Sequence, residues 1–104
     1  MQVEGHAVFH TGIKCEAIRR NGYVEFVGQL QVHHKFDKRE PLPVFLEGVG
    51  PKQRFLPRQS TIAHVDADGR FKGVIRDAEF KTAACMFAGT DTLGSAFSGF
   101  VPVK

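Results

Sequence analysis

Apolar and polar residues alternate with a period of two along most of the chain, which is the spacing of strands with one buried and one exposed face. Residues 2–10, 13–18 and 23–33 all show this alternation. In the last of these segments, the apolar positions are Val24, Phe26, Leu30 and Val32. The pattern predicts half-buried antiparallel strands over these three segments.

Two turn sequences predict hairpins. Asn21-Gly22 separates the second and third segments and predicts a two-residue type I′ turn, which needs positive φ at both positions. The sequence "DADG" (66–69) lies between "TIAHV" and "RFKGVI" and predicts a second hairpin. A further strand is predicted at "PLPVFLEGVG" (41–50), whose prolines favour a sheet edge or the start of a strand.

The remaining segments complete an all-β prediction. Residues 51–60, rich in Pro, Gln and Arg, predict a loop, and 76–86 would allow one helical turn at most. The segment "MFAGTDTLGSAFSGFVPV" predicts one or two short strands joined by glycine turns. Five to seven short strands in 104 residues predict a single all-β domain, either a small antiparallel OB-like barrel or a small β-sandwich.

Charge is unevenly distributed along the chain, whose formal net charge is +3. Thirteen of the fourteen Lys and Arg residues lie between Lys14 and Lys81, whereas residues 82–103 carry one charge, Asp91. The basic groups are therefore expected on the hairpins. The segment 82–104 is expected to pack against another subunit of a homo-oligomer, a dimer or higher.

The two cysteines, Cys15 and Cys85, form no metal motif. Two free, partly buried thiols in a reducing compartment are the favoured interpretation, with one disulfide as the alternative. No charged-then-apolar leader and no apolar run of spanning length are present, so a cytoplasmic protein without membrane contact is expected.

Metal and catalytic motifs receive little support from the sequence. In "HVDADG" (64–69) the two aspartates fit a hairpin turn better than a calcium loop, which needs more acids and a terminal Glu. His33 and His34 are adjacent on a predicted strand and therefore point to opposite faces. No nucleophile elbow, P-loop or paired-carboxylate site is found. We expect a non-enzymatic protein with no cofactor, no bound metal and no small-molecule substrate.

Four places put a cation beside an aromatic ring, a combination used by proteins that bind single strands without sequence preference. In such proteins the cations follow the phosphates while the rings stack on bases. The alternative is that the rings belong to the core and the cations are their outward neighbours. The candidate nucleic-acid-binding residues are Arg19, Arg20, Tyr23, Lys35, Phe36, Lys38, Arg39, Arg54, Phe55, Arg58, Arg70, Phe71 and Lys72.

Three stretches together resemble the single-stranded-DNA-binding proteins of filamentous phages, the gene-five type: "RRNGY" (19–23), "DKREPLPVFLE" (37–47) and "LPRQSTIAHVDADGRFKGVIRDAEF" (56–80). The resemblance implies a five-stranded OB-like barrel that dimerises and coats newly made viral DNA during replication. It assigns phosphate and stacking contacts to Arg19, Arg20 and Tyr23. The family usually has a Pro between that Gly and Tyr and carries several exposed tyrosines, whereas here Gly22 and Tyr23 are adjacent and Tyr23 is the only tyrosine.

A second resemblance leads to a different function. The stretch "STIAHVDADGRFKGVI" (60–75) is similar to a hairpin of transthyretin-like and Cna-B-type β-sandwich domains. It implies a structural or interaction module, such as a viral decoration or assembly protein, with no nucleic-acid role. Cations gathered on one face would favour nucleic acid, and scattered cations would favour this module.

Overall fold

The computed structural model describes residues 11–32, 42–91 and 93–104. These residues form β-strands and one short 3₁₀ turn (Pro51–Gln53), and none of them belongs to an α-helix. The strands are β1 (Thr11–Arg20), β2 (Tyr23–Val32), β3 (Pro43–Gly50), β4 (Arg54–His64), β5 (Arg70–Arg76), β6 (Thr82–Phe87), β7 (Ala96–Phe97) and β8 (Val101–Pro102). The all-β prediction is confirmed. In the described part of the chain, no helix is long and apolar enough to cross a membrane.

The strands form two antiparallel sheets. One contains three strands in the order β1-β2-β5, and the other contains five, with the order β4-β3-β6 and both β7 and β8 paired to β6. The sheets do not close into the predicted OB-like barrel, and their arrangement is that of the alternative, a small β-sandwich. The strand predicted at 2–10 lies outside the described residues.

The core lies between the two sheets and is built from the inward positions of the alternating strands. The alternation in 23–33 places Val24 and Phe26 at 0% exposure and Leu30 at 2%, as predicted. From the other sheet, Val44 and Leu46 on β3 are equally buried. Ile75 on β5 and Phe87 on β6 join them, so both sheets contribute to the core.

The first predicted hairpin forms, although its turn differs from the prediction. Only Gly22 has a positive φ, 86°, and Asn21 does not, so the type I′ prediction is wrong. The second hairpin prediction is wrong: the turn at 66–69 is present, but β4 pairs with β3 and β5 pairs with β2, so the strands on either side of the turn belong to different sheets. In the second turn, the amide of Gly69 donates to the carbonyl oxygen of Asp66 at 3.1 Å. The carboxylate of Asp66 accepts from the amides of Asp68 and Arg70, both at 2.9 Å, which fixes the turn that joins the two sheets.

The segment predicted as a loop at 51–60 is largely strand. β4 begins at Arg54, and its register with β3 shifts between Glu47 and Val49. This irregularity absorbs the extra residues of the Pro- and Gln-containing stretch, which hides the strand from a search for strict alternation. Pro43 is the first residue of β3, as predicted, although β3 lies in the middle of its sheet. The helical turn allowed within 76–86 does not form, and β6 begins at Thr82.

Cys15 on β1 and Cys85 on β6 form a disulfide with their Cα atoms 6.1 Å apart. The expectation of two free thiols is therefore wrong. The disulfide can form because both cysteines occupy inward positions of facing sheets. Cys15 points toward the core from one sheet, and the fully buried Cys85 points toward it from the other. The bond links two sheets that do not share a strand ladder at this point.

The C-terminal residues lie along both sheets. β8 pairs with Thr82 and Ala83 of β6. Beyond it, the amide of Lys104 donates to the carbonyl oxygen of Ala17 at 2.9 Å, and the amide of Arg19 donates to the carbonyl oxygen of Lys104 at 2.8 Å. The end of the chain therefore joins β6 to β1 on the side of the sandwich where the disulfide lies.

Reduction of the disulfide should destabilise the fold. The bond closes a loop with a sequence separation of 70, which in the chain-entropy treatment contributes about 4 kcal/mol. Urea unfolding with and without reductant measures this contribution. The Cys15→Ala/Cys85→Ala variant is the control, since reductant should not change its midpoint. A wild-type midpoint that is unaffected by complete reduction would contradict the stabilising role.

Candidate nucleic-acid interface

The outer face of the β1-β2-β5 sheet presents a regular array of side chains. Residues directly opposite each other on neighbouring strands lie on the same face. The register gives four cross-strand rows: Lys14–Gln29–Arg70, Glu16–Val27–Lys72, Ile18–Glu25–Val74 and Arg20–Tyr23–Arg76. Five of these residues are cations and two are acids, so we call this surface the cationic face.

Both acids of the cationic face have cationic partners. Glu25 pairs with Arg20 at 3.3 Å, and Glu16 pairs with Lys104, from the C-terminal end, at 3.2 Å. These are exposed pairs that contribute little to stability, but they offset the two negative charges. The four remaining cations form no ion pair with any described acid: Lys14, Arg70, Lys72 and Arg76. The cationic face therefore keeps a positive field.

A shallow groove crosses one end of this face. Two adjoining pockets, of about 470 Å³ and about 280 Å³, share Val27, Gly28 and Arg70 in their walls. The larger is also lined by His64 and Lys72, and the smaller by Lys14. Arg70 thus lies where the two halves of the groove meet. The walls also include two acids: Glu16, which pairs with Lys104, and Asp66, whose carboxylate accepts from two backbone amides. An extended anionic chain in this groove would contact the three unpaired cations and pass Asp66.

Tyr23 is the one aromatic residue among the four rows. It is half-buried and lies between Arg20 and Arg76 in the last row. A ring placed between two cations on an open sheet can stack on a base whose phosphates contact the neighbouring guanidinium groups.

Arg19 has a different environment from Arg20, because successive residues of a strand point to opposite faces. Its guanidinium donates to the backbone carbonyl oxygen of Ala78 at 2.9 Å and to that of Phe80. Arg19 therefore ties the first hairpin to the segment between β5 and β6. Two of its five N–H donors are committed to these backbone contacts, so fewer are left for a phosphate.

The other candidates do not join the cationic face. Phe71 is 4% exposed and belongs to the core, so its ring is not offered to a base in this structure. Arg54, Phe55 and Arg58 are exposed but lie on β4, in the other sheet. Four candidates lie outside the described residues: Lys35, Phe36, Lys38 and Arg39.

The structure brings together a subset of the candidates and adds two residues. Arg20, Tyr23, Arg70 and Lys72 share the cationic face with Lys14 and Arg76, which the search for cation–aromatic neighbours missed. Neither has an aromatic neighbour in sequence, so that search could not find them. The period-two alternation around each of them was the available signal.

The outer face of the second sheet is apolar where such a face is usually polar. One cross-strand row contains Ile62, Phe45, Met86 and Phe97. Beside this row, the rings of Phe55, Phe97 and Phe100 contact one another with centroid separations of 5.4–6.5 Å. We call the surface formed by these six residues the apolar face. Its exposed side chains include Ile62 at 53% and Phe97 at 48%.

Glu47 lies beside this apolar row, opposite Ser60 and Ala84. Partial burial raises the pKa of its carboxyl group above the ordinary value of 4.5, because desolvation disfavours the charged form. The charged form of Glu47, beside the apolar face, therefore lowers the stability of the folded state.

Arg19→Ala should destabilise the fold more than Arg20→Ala. Loss of two hydrogen bonds from a charged donor should lower the free energy of unfolding by about 1–2 kcal/mol. Loss of the exposed pair with Glu25 should lower it by less than about 1 kcal/mol. Urea denaturation of the two variants, each in the same hairpin, makes the comparison. Equal effects would contradict the assigned role of Arg19.

Glu47→Gln should stabilise the protein at neutral pH and not in acid. A raised pKa in the folded state favours folding below the unfolded pKa, and this contribution is lost as the pH rises through the folded pKa. Gln stays neutral throughout, so its advantage over Glu should be present at about pH 7 and vanish near about pH 3. Thermal unfolding at low protein concentration measures both values. The same difference at both pH values would contradict the desolvation argument.

Comparison with known proteins gives no relative from which a role could be taken. No protein-family model, no curated protein and no solved structure matches the chain. The resemblances to filamentous-phage DNA-binding proteins and to transthyretin-like domains therefore stay predictions.

Proposed function

We propose that the protein binds single-stranded nucleic acid, DNA in the first instance, through the cationic face and without sequence preference. The observation that carries this proposal is the set of four cross-strand rows, which places five cations and one tyrosine on a single open surface. These residues are far apart in the sequence, but the register of β1, β2 and β5 makes them neighbours.

The dimensions of the face suit an extended strand. From the row of Lys14 to the row of Arg20 is six residues along β1, or about 20 Å. Along this length the cations Lys14, Arg70, Lys72, Arg76 and Arg20 would meet phosphates, while Tyr23 would stack on a base. The sheet offers no element that enters a groove and reads base edges, so binding depends on charge and stacking alone. The proposal assigns no chemistry, cofactor or metal to this face.

The gene-five resemblance extends this proposal to a homo-oligomer that coats newly made viral DNA during replication. Such a role would place the protein in the cytoplasm, the host cytoplasm for a virus. The Cys15–Cys85 disulfide weighs against that location, because structural disulfides are typical of oxidising compartments.

A second candidate function is a structural or assembly module without a nucleic-acid role. Two observations favour it. Arg54 and Arg58 lie on the other sheet, so the candidate cations do not all gather on one surface. The apolar face has the character of a protein-binding surface. A viral decoration or assembly protein would need this face and would leave the cationic face as a solvated rim.

Fluorescence anisotropy of dye-labelled oligothymidine at about 50 mM and about 200 mM salt tests the proposal. Neutralisation of up to five phosphates predicts a log–log slope of affinity against salt of up to about −3.5. Arg70→Ala and Lys72→Ala should each weaken binding and reduce the slope by about 0.7. Tyr23→Ala should weaken binding with little change in slope, because it removes stacking and no charge.

Arg54→Ala is the matched control, since it removes the same charge from an exposed position on the other sheet. It should leave the affinity almost unchanged. If Arg54→Ala weakened binding as much as Arg70→Ala, the cationic face would not be the site. Absence of binding at about 50 mM salt would contradict the function itself and leave the assembly module.

A further inference from the structure

The outer faces of the two sheets differ in kind. On the β1-β2-β5 sheet, the four rows contain seven charged residues. On the second sheet, the row Ile62–Phe45–Met86–Phe97 crosses four strands without a charged or polar residue. An antiparallel sheet that faces water on one side normally alternates apolar-in and polar-out. The apolar face departs from this rule across a whole row, which indicates a surface that becomes covered.

The aromatic residues of the apolar face are clustered, not scattered. Phe97 and Phe100 meet edge to face at 5.4 Å, and Phe55 lies 6.2 Å from Phe100. These three side chains nevertheless stay 38–48% exposed. Contact among themselves therefore covers only part of each ring, and rings of this kind anchor interfaces when a partner covers the rest.

We propose that the apolar face binds a second copy of this chain. The charged residues beside the apolar face favour a second copy of the chain over other partners. Glu47 lies next to the apolar row, and Arg58 is an exposed residue two positions before Ser60, the residue opposite Glu47. Neither side chain has an ion-pair partner among the described residues. A twofold axis that lies in the interface and passes between them brings Glu47 of each copy against Arg58 of the other, so the face is self-complementary.

The placement of the cationic face supports the same arrangement. Packing of two copies through the second sheet leaves both β1-β2-β5 sheets on the outside, where their positive charges stay apart and open to a polyanion. Packing through the cationic face would bring five cations of each copy together, which is unfavourable. The geometry required is ordinary sheet-on-sheet packing, with the sheets about 10 Å apart.

The size of the apolar face determines how strong the proposed dimer is expected to be. Four strands span about 14 Å, and the four residue steps from Phe45 to Val49 span about 13 Å. A patch with these two dimensions has an area well below the roughly 800 Å² per partner of a standard interface. We therefore expect a weak dimer whose population depends on protein concentration. Weak contacts of this kind suit a protein that coats a strand as an oligomer. That role depends on the proposed function, whereas the association itself does not.

Sedimentation velocity without nucleic acid, from about 5 to about 500 μM protein, tests the proposal in the range of weak dimers. The wild type should shift from monomer to dimer across this range. Ile62→Lys and Phe97→Lys should each weaken the dimer at least about tenfold. Val74→Lys is the matched control: Val74 is 42% exposed on β5, outside the apolar face, and its variant should dimerise like the wild type. Circular dichroism and thermal unfolding check that each variant folds.

A charge exchange tests the orientation of the two copies. Glu47→Arg alone and Arg58→Glu alone should each weaken the dimer, and the double exchange should restore most of the wild-type affinity. A wild type that stays monomeric at about 500 μM overturns the proposal even if it binds oligothymidine. A dimer that persists in the Ile62 and Phe97 variants also overturns it. Flotation of the monomer with lipid vesicles, lost in Phe97→Lys, would instead assign the face to a membrane surface.

Discussion

The fold depends on how its two sheets are joined along one side. Each sheet is a small antiparallel ladder whose inward surface is apolar and is covered by the other sheet. Cys15 and Cys85 connect the sheets covalently through the core. Next to them, the C-terminal residues pair with β6 through β8 and with β1 through Lys104. The segment expected from the sequence to contact another subunit thus first completes its own domain, and only its outward rings are left for a partner.

Closure of the sandwich determines what the outer faces can do. Because the inward positions are committed to the core, function must use the outward positions, and the strand register decides which of these become neighbours. On β1, β2 and β5 the register gathers cations from three separate stretches of sequence. On β3, β4, β6 and β7 it gathers aromatic and aliphatic side chains. One small domain therefore has two surfaces of opposite character.

The limits of sequence reasoning follow from the same geometry. Period-two alternation was enough to predict the class of the fold and the inward residues Val24, Phe26 and Leu30. Asn21-Gly22 predicted the first hairpin but not the type of its turn. The alternation could not predict the first part of strand β4, residues 54–60, because the irregularity between Glu47 and Val49 breaks it. The sequence also could not show whether Phe71 lies in the core or on the surface, because Arg70 and Lys72 are its neighbours in either case. The alternation could not predict the disulfide either, because two cysteines 70 positions apart meet only through the way the two sheets face each other.

The central claim is that one sheet meets nucleic acid and the other does not. Titration of an isotope-labelled sample with oligothymidine, followed by amide and side-chain NMR shifts, tests this claim across the whole chain at once. The account predicts shifts concentrated at Lys14, Gln29, Arg70 and Lys72, with Ile62 and Phe97 unaffected at protein concentrations below dimer formation. Shifts concentrated at Phe55 and Phe97, with the β1-β2-β5 sheet unchanged, would contradict it.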